Sequence, residues 1–484
     1  MPLPRLAPIP PLIESGRHSG GEQHPGARSK ERSNLPPHDA LPLFGGDAAP
    51  DGAAGIESGN GGTKRGNGRN QNRVESRDRG FHDWYRFVLS FPPHLVRDYI
   101  SRWRIRGKQR VLDPFCGTGT TVVECKKLGV ASVGVEANPL ACFASETKID
   151  WSPDPGSLVE HAAAVAEAVR VEAQSEMEDG RLRVLPAASE KLLLANSISP
   201  VPLHRTLVLR DCIARMSRNT GLARHEQLAL ARVAVASASN LKFGPEVGVG
   251  PAKDDAPVID AWLAAVREMA HDIRTVQGKP SGVAGVVLGD ARKVQDHIEP
   301  RSIDAVFTSP PYPNEKDYSR TTRLETTLLG FAADKQNLQS IKRSLLRSNT
   351  RNVYKGDDDD RWAENLPAIQ EIADEIERRR IEMGKNSGFE KLYAKVTKLY
   401  FGGMARHLEE LRPLLRPGAH LGYVVGDQAS YLRVKIQTGR LLADIARRLG
   451  YEVVGLDLFR TRLATATRDM LREEVLILRW PRAT

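Results

Sequence analysis

Val111-Leu112-Asp113-Pro114-Phe115-Cys116-Gly117-Thr118-Gly119-Thr120-Thr121 decides how this chain is read. A short apolar run ends in an acid, turns on two glycines and enters TTVVECKKLG (120–129), a segment with helical spacing. Glycines let the backbone approach a ligand closely, and a helix N-terminus presents unpaired N–H groups to it. A phosphate-binding loop of this shape would carry a lysine after its last glycine. Thr120 and Thr121 stand there instead, and Asp113 would repel a phosphate. Strand, glycine turn and helix together predict the opening unit of a doubly wound α/β sheet, whose ligands sit at the carboxyl ends of its strands.

Six further strand signals lie downstream of RVLDPF (110–115): SVGVE (132–136), GVVLGDA (285–291), IDAVFTS (303–309), AHLGYVVG (419–426), EVVGLDLF (452–459) and EEVLILRW (473–480). Several are near-continuous apolar runs, the mark of strands buried on both faces of a mostly parallel sheet. Helical patterns alternate with them, among them HLEELRPLL (407–415) and VKIQTGRLLADIARRLG (434–450), the latter closed by a glycine. Two stretches break the rhythm, and both are expected to be helical insertions. One spans about 152–280. The other spans about 335–400 and is highly charged, with DDDD at 357–360 read as a solvated loop because it lacks the spaced ligands of a calcium site. Residues 1–79, rich in Pro, Gly, Ser, Asn and Arg, are expected to form a disordered tail. The resulting division is a tail (1–79), a cofactor-binding half (80–151), a helical insertion (152–280), a catalytic half (281–334), a charged insertion suited to target recognition (335–400) and the last strands (401–484).

Composition narrows the class. The 484 residues are 40% hydrophobic and 27% charged, the balance of a soluble globular chain. No apolar stretch approaches the ~20 residues of a membrane span. The first residues, MPLPRLAPIPPLIES, are broken by prolines where a secretory signal needs an apolar run, so a cytoplasmic protein is expected. The four cysteines (Cys116, Cys125, Cys142, Cys212) form no C-x-x-C pair, and neither a metal site nor a disulfide framework is expected. Net charge is +10; the first 80 residues hold 11 Lys/Arg against 9 Asp/Glu, leaving about +8 on the rest, which suits a polyanionic partner.

Three acids follow in series. Asp113 at the glycine turn suits a ligand carrying an ammonium and a sulfonium, such as S-adenosylmethionine. Glu136, at the end of the second strand and followed by Ala137-Asn138-Pro139, can accept both hydroxyls of a ribose. Asp290 in Gly289-Asp290-Ala291-Arg292 can accept an adenine amino group. The cofactor-binding candidates are therefore Asp113, Phe115, Gly117, Gly119, Thr120, Thr121, Glu136, Asn138, Asp290 and Ala291. The catalytic candidates are Ser309, Pro310, Pro311 and Tyr312, in Phe307-Thr308-Ser309-Pro310-Pro311-Tyr312 at the end of the fourth strand. Two adjacent prolines remove two backbone donors and make a rigid extended segment. That segment can aim the Ser309 hydroxyl and the Pro310 carbonyl at one exocyclic amino group, localising its nitrogen lone pair. Tyr312 offers a face for the base to stack on. Cys116 is assigned to packing, and no dedicated base is evident.

These motifs resemble those of the amino-methyltransferases of DNA modification, the N-4/N-6 DNA methylases: LDPFCGTGTT (112–121) is similar to the cofactor loop and FTSPPY (307–312) to the catalytic tetrapeptide with its flanks. Phe91-Pro92-Pro93-His94-Leu95-Val96-Arg97-Asp98-Tyr99-Ile100 resembles the family's helix before that loop, which packs against the methionine end of the cofactor. The resemblance implies a Rossmann-like seven-stranded S-adenosylmethionine-dependent methyltransferase sheet, over roughly 85–150 and 280–480. It also implies S-adenosylmethionine as cofactor and DNA as partner. A Thr-Ser-Pro-Pro-aromatic string is more typical of cytosine-N(4) enzymes, yet many of those place the tetrapeptide before the cofactor loop. Here it follows by about 190 residues, an order seen in many adenine and RNA enzymes. Cytosine-N(4) is the favoured target. Adenine-N(6), an RNA substrate such as tRNA, and a non-catalytic nucleic-acid-binding protein built on the same core stay open, as do a cognate restriction nuclease and the oligomeric state. Backbone contacts are expected from Arg102, Arg104, Arg106, Lys108 and Arg110 and from Lys342, Arg343, Arg347 and Arg351, and a base-pocket lining from Lys316-Asp317-Tyr318-Ser319-Arg320.

Overall fold

The structure, a computed structural model, describes residues 78–86, 90–217, 221–244, 246–314, 317–463 and 470–482. The tail expected over 1–79 lies outside the described residues except for its last two, of which Asp78 is buried and ion-paired to Arg97 at 2.9 Å.

In chain order the first elements are α1 (Pro93–Arg102), β1 (Arg110–Asp113), α2 (Thr120–Lys127), β2 (Ala131–Glu136) and α3 (Pro139–Ile149). The first insertion brings α4 (Pro155–Glu178), α5 (Ala187–Glu190), α6 (Pro200–Met216), α7 (Ala223–Val233), a hairpin of β3 (Leu241–Phe243) and β4 (Val247–Val249), and α8 (Val258–Val276). Then come β5 (Ala284–Leu288), β6 (Ile303–Thr308), α9 (Tyr318–Thr321), α10 (Arg323–Leu328), α11 (Lys335–Ser344), α12 (Pro367–Glu382) and α13 (Tyr393–Leu411). The chain closes with β7 (Leu415–Gly426), α14 (Thr438–Arg448), β8 (Glu452–Leu463) and β9 (Met470–Arg479). All seven expected strands are present. The first insertion, expected to be helical throughout, also carries the β3–β4 hairpin, paired antiparallel through Leu241, Lys242 and Phe243. Its β-branched and aromatic residues are few and short-ranged, so helical composition on either side masked it.

The main sheet runs in the order β5-β2-β1-β6-β7-β9-β8. The pairs from β5 through β7 are parallel, and β9 runs antiparallel to both β7 and β8. Side-chain alternation sends neighbouring residues to opposite cores. Ala305 and Phe307 of β6 pack with Leu95, Val96 and Tyr99 of α1, whereas Val306 packs on the other face with Met404, Leu408 and Leu411 of α13. A third core lies within the first insertion, where α4, α6, α7 and α8 close around Trp262 and join Leu140 and Phe143 of α3. From β1 the chain builds outward through β2 to β5, and from β6 it builds the other way through β7. The carboxyl ends of β1 and β6 therefore part at the sheet's switch point, where ligands bind in folds of this kind.

The second insertion is fastened to the sheet half through α13. A Cβ on Gly402 would come within 1.9 Å of the Asp359 carbonyl oxygen, so only a glycine lets that turn cross the helix. The aspartate run is consequently not a solvated loop throughout: Asp359 is buried between Arg292 and Arg406, and Asp357 pairs with Arg347. Among the described residues no helix is long and apolar enough to cross a membrane, and no group of three or more His, Cys, Asp or Glu is placed to hold a metal.

Candidate functional site

The turn between β1 and α2 depends on left-handed backbone at Gly117 (φ +55°) and Gly119 (φ +90°). A Cβ on Gly119 would press on Ser145 of α3 at 3.2 Å, whereas one on Gly117 would meet only open space. Among the bonds that hold the turn, Gly117 N donates to Glu136 Oε2 (2.7 Å), Ser145 Oγ donates to Gly117 O (2.7 Å), and Lys148 Nζ donates to Thr118 O (3.0 Å). Lys148 is itself buried and donates also to the carbonyls of His82 and Tyr85, pinning the segment before α1 to the loop.

One large cavity, about 770 Å³, opens over this turn. Of the cofactor-binding candidates, Phe115, Gly117, Thr120, Glu136, Asn138, Asp290 and Ala291 line it. Asp113, Gly119 and Thr121 do not. Asp113 is fully buried and turned towards β6, where Oδ1 accepts from Thr308 Oγ1 (2.6 Å) and from Phe115 N (3.2 Å). Its Oδ2 is buried without a partner among the described residues, and desolvation pushes the carboxyl up to about 6. Through this bond Asp113 latches β1 to β6 across the switch point. Thr121 does the same from α2, donating to Phe307 O at 3.1 Å.

Glu136 accepts from Asn138 N (2.8 Å) as well as from Gly117 N, and burial pushes its carboxyl up to about 7. Asn138 caps α3, its Oδ1 accepting from Leu140 N at 3.0 Å. Asp290 is held rigidly: Arg292 Nη2 and Nε reach Oδ2 at 2.6 and 3.1 Å, and Arg292 N donates to Oδ1 at 2.9 Å. The same guanidinium donates to Asp359 Oδ2 at 2.5 Å, tying the second insertion to the cavity wall. Sequence reasoning missed His407 on α13. Its ring packs edge-on against Phe115 with centroids 4.9 Å apart, Nδ1 lies 2.9 Å from Ala291 O, and Nε2 lies 2.9 Å from Tyr423 Oη. Burial pushes it down to about 4, so a neutral imidazole backs the Phe115 wall at neutral pH. Only its helical spacing was legible, because a buried polar contact leaves no pattern in one chain.

Ser309, Pro310, Pro311 and Tyr312 line the same cavity. The Ser309 hydroxyl donates to Val424 O of β7 at 3.1 Å, which spends its proton on the sheet and leaves its lone pairs to accept. Tyr312 lies against Gly426, where a Cβ would stand 2.9 Å from its ring. The second insertion forms the facing wall. Its Ser344 and Leu346 lie beside the Glu136–Asp290 end, and Ser348 O accepts from Asn314 N (2.6 Å), two residues after Tyr312. Asn349 Nδ2 and Asn352 Oδ1 in this wall are buried without partners among the described residues. Tyr393 lines the cavity stacked on Tyr431, ring centroids 4.7 Å apart.

The expected basic contacts divide. Arg104, Arg106 and Lys108 are exposed, but they precede β1 and so lie at the opposite end of the sheet from the cavity. Arg102 pairs with Asp457, Lys342 with the buried Asp317, and Arg347, itself buried, with Asp357. Arg351 lines the cavity, as do Asp317, Tyr318 and Arg320; Ser319 is buried, and Lys316 lies outside the described residues.

A sheet of this order is the methyltransferase fold, and its glycine turn, strand-end acid and Pro-Pro turn converge on one cavity. Comparison with known proteins narrows the class. The family model for DNA methylases of the N6/N4 type matches residues 63–146. The Type II methyltransferase M.BsoBI of Geobacillus stearothermophilus is 24% identical over 433 residues, covering 82% of this chain and 83% of its own length. The Type II methyltransferase M.AvaI of Anabaena variabilis is 24% identical over 434 residues, covering 82% and 86%. M.MjaII of Methanocaldococcus jannaschii, also a Type II methyltransferase, is 32% identical over 75 residues, 16% of this chain and 14% of that one. Over most of its length the chain is thus similar to Type II methyltransferases, and its cofactor-loop region matches the N6/N4 DNA methylase model.

Proposed function

We propose that the chain transfers a methyl group from S-adenosylmethionine to the exocyclic amino group of a base in DNA, with N(4) of cytosine the favoured acceptor. The Ser309 hydroxyl carries this reading. Its proton is committed to Val424 O, so the oxygen facing the cavity accepts and does not donate. With the Pro310 carbonyl it makes a two-acceptor seat for an –NH₂ group: accepting its two N–H bonds localises the nitrogen lone pair for attack, and the proton the amine sheds once methylated passes to solvent. An aromatic Tyr312 beside the seat suits a base stacked flat against it.

The cavity's other end fits the cofactor on three counts. Gly117 faces open space where a side chain would intrude. Glu136 has both oxygens oriented by backbone N–H donors and can accept from a ribose diol. Phe115, backed by His407, offers an apolar face to an adenine ring. Bound there, S-adenosylmethionine supplies a methyl group on a positively charged sulfur. The protein's part is positioning: the Ser309–Pro310 seat and the Gly117 turn share one cavity, so an amine can be held in line with the methyl group. A base in duplex DNA must first leave the stack, at a cost of a few kcal/mol. The second insertion supplies the wall facing the seat and is the proposed target-recognition element.

Transfer of isotope-labelled methyl to DNA and to RNA, digestion to nucleosides and mass spectrometry test the reading, with Ser309→Ala as control. The expected product is N(4)-methylcytosine from DNA, with the rate falling about 100-fold or more in the variant. N(6)-methyladenine would keep the mechanism and overturn the base. Label in RNA alone, or none in either polymer, would overturn the function.

A further inference from the structure

Three chain segments that are remote in sequence meet at the mouth of the cavity: Glu246 at the tip of the β3–β4 hairpin, Arg320 on α9, and Arg351 in the second insertion. A single oxygen, Glu246 Oε2, lies 3.0 Å from Arg351 Nη1 and 3.5 Å from Arg320 Nη1. Two guanidinium groups converging on one anionic oxygen reproduce the arrangement by which arginines grip a phosphodiester. Both arginines stand on a fixed backbone. The backbone of Arg351 is fixed by Asn349, whose Oδ1 accepts from Arg351 N at 3.0 Å, and its guanidinium rests over the Phe389 ring at 5.8 Å. Arg320 N donates to Asp317 O at 2.8 Å, and Asp317 is itself buried and held by Lys342 at 2.9 Å. Glu246, by contrast, is 60% exposed at the side chain on a short hairpin, the easiest of the three to displace.

We propose that Arg320 and Arg351 form an anion seat for a backbone phosphate of the DNA strand beside the target nucleotide, and that the Glu246 carboxylate occupies that seat until DNA displaces it. The inference rests on the reading of the chain as a DNA methyltransferase and adds to it a named phosphate site and its competitor. The position suits the task. The seat borders the cavity that holds Ser309 and Tyr312, so a strand pinned there keeps its extruded base beside the amine-holding residues. It also explains why Arg351 serves this purpose while Arg347 and Lys342, close to it in sequence, do not: those two are committed to Asp357 and Asp317 inside the fold.

The test is DNA binding by the full-length protein across a salt series, with Arg320→Gln, Arg351→Gln and Glu246→Gln, alongside labelled-methyl transfer and S-adenosylmethionine binding. Each arginine variant should flatten the slope of log K against log salt by about 0.9, so that raising salt from about 50 to about 200 mM weakens it about 3.5-fold less than the parent. Glu246→Gln should bind DNA about two- to fivefold more tightly, a change of sign that misfolding does not produce. Cofactor affinity should stay at the parent value in all three. Unchanged slopes in both arginine variants, in a protein that still methylates DNA, overturn the seat and leave the function standing. Unchanged or weaker DNA binding by Glu246→Gln overturns the role of the carboxylate. A parent protein that methylates no DNA overturns the function itself, and the seat with it.

Discussion

Arg292→Met removes the cation that, among the described residues, joins the proposed adenine-binding acid to the second insertion. The Arg292 side chain is 8% exposed, and its pKa is held well above the usual value by Asp290 and Asp359 in spite of desolvation, so solvent screening discounts little of the interaction. Breaking a buried pair by deleting one partner costs about 3–5 kcal/mol, because the remaining charge is left unpaired. Asp290 is on the cavity wall and can turn to water, and Asp359 keeps Arg406 at 3.3 Å, which points to the lower end, about 3 kcal/mol. With an unfolding entropy of about 2.1 cal/mol/K per residue over about 390 described residues, that loss lowers Tm by about 3–4 °C. The assay is calorimetry of the ligand-free protein with a cofactor titration beside it. The titration should show weaker S-adenosylmethionine binding, since Asp290 loses the fork that orients it. The cycle with Asp359→Asn should reveal a coupling of about 1 kcal/mol or more between the two sites. A Tm within 1 °C of the parent, or fully additive single variants, would refute the claim that this network fastens the insertion to the cavity.

Two more expectations concern the cofactor end. Glu136 is pushed up to about 7 from a free value of 4.5, so in the ligand-free protein its contribution to stability is present below pH 4.5 and lost as pH rises through 7. The ionised carboxylate is the better acceptor for a ribose diol, so cofactor affinity should run the other way and be about tenfold weaker at pH 6 than at pH 8; Glu136→Gln should bind weakly with no such pH dependence, and a parent whose affinity is flat with pH would refute the assignment. Lys148→Met strips a donor from the carbonyls of Thr118, His82 and Tyr85. About 1 kcal/mol of lost loop order should raise the cofactor Kd about fivefold, measured by titration calorimetry, while affinity for DNA stays put; an unchanged cofactor Kd would show that the loop stands without the clamp.

The strands were legible because burial on both faces writes an uninterrupted apolar run, and β1, β2, β6 and β7 are of that kind. The acids at strand ends were legible as chemistry but not as roles. Glu136 does line the cavity, whereas Asp113, of the same type and in the more telling motif, turns inward to Thr308 because the partner that claims it lies 195 residues away. The aspartate run failed for the same reason: nothing near 357–360 announces Arg292 or Arg406. Lys148 and His407 sit in helices whose periodicity accounts for them without any function, and Glu246 sits on a hairpin too short to leave a signal.

The latch between Asp113 and Thr308 also bears on how the protein is made. β1 leaves the ribosome about 195 residues before the strand it must pair with in parallel, and at about 5–20 residues per second the interval is about 10–40 s. During that time the glycine turn after β1 has its glycines and its helix but neither the β6 neighbour nor the hydroxyl that takes up Asp113. The helical body of the first insertion is completed in the interval, its contacts being local and quick to form. The proposed cofactor turn and amine seat therefore come into being in one late step, and a truncated chain ending short of β6 lacks the strand that carries the seat.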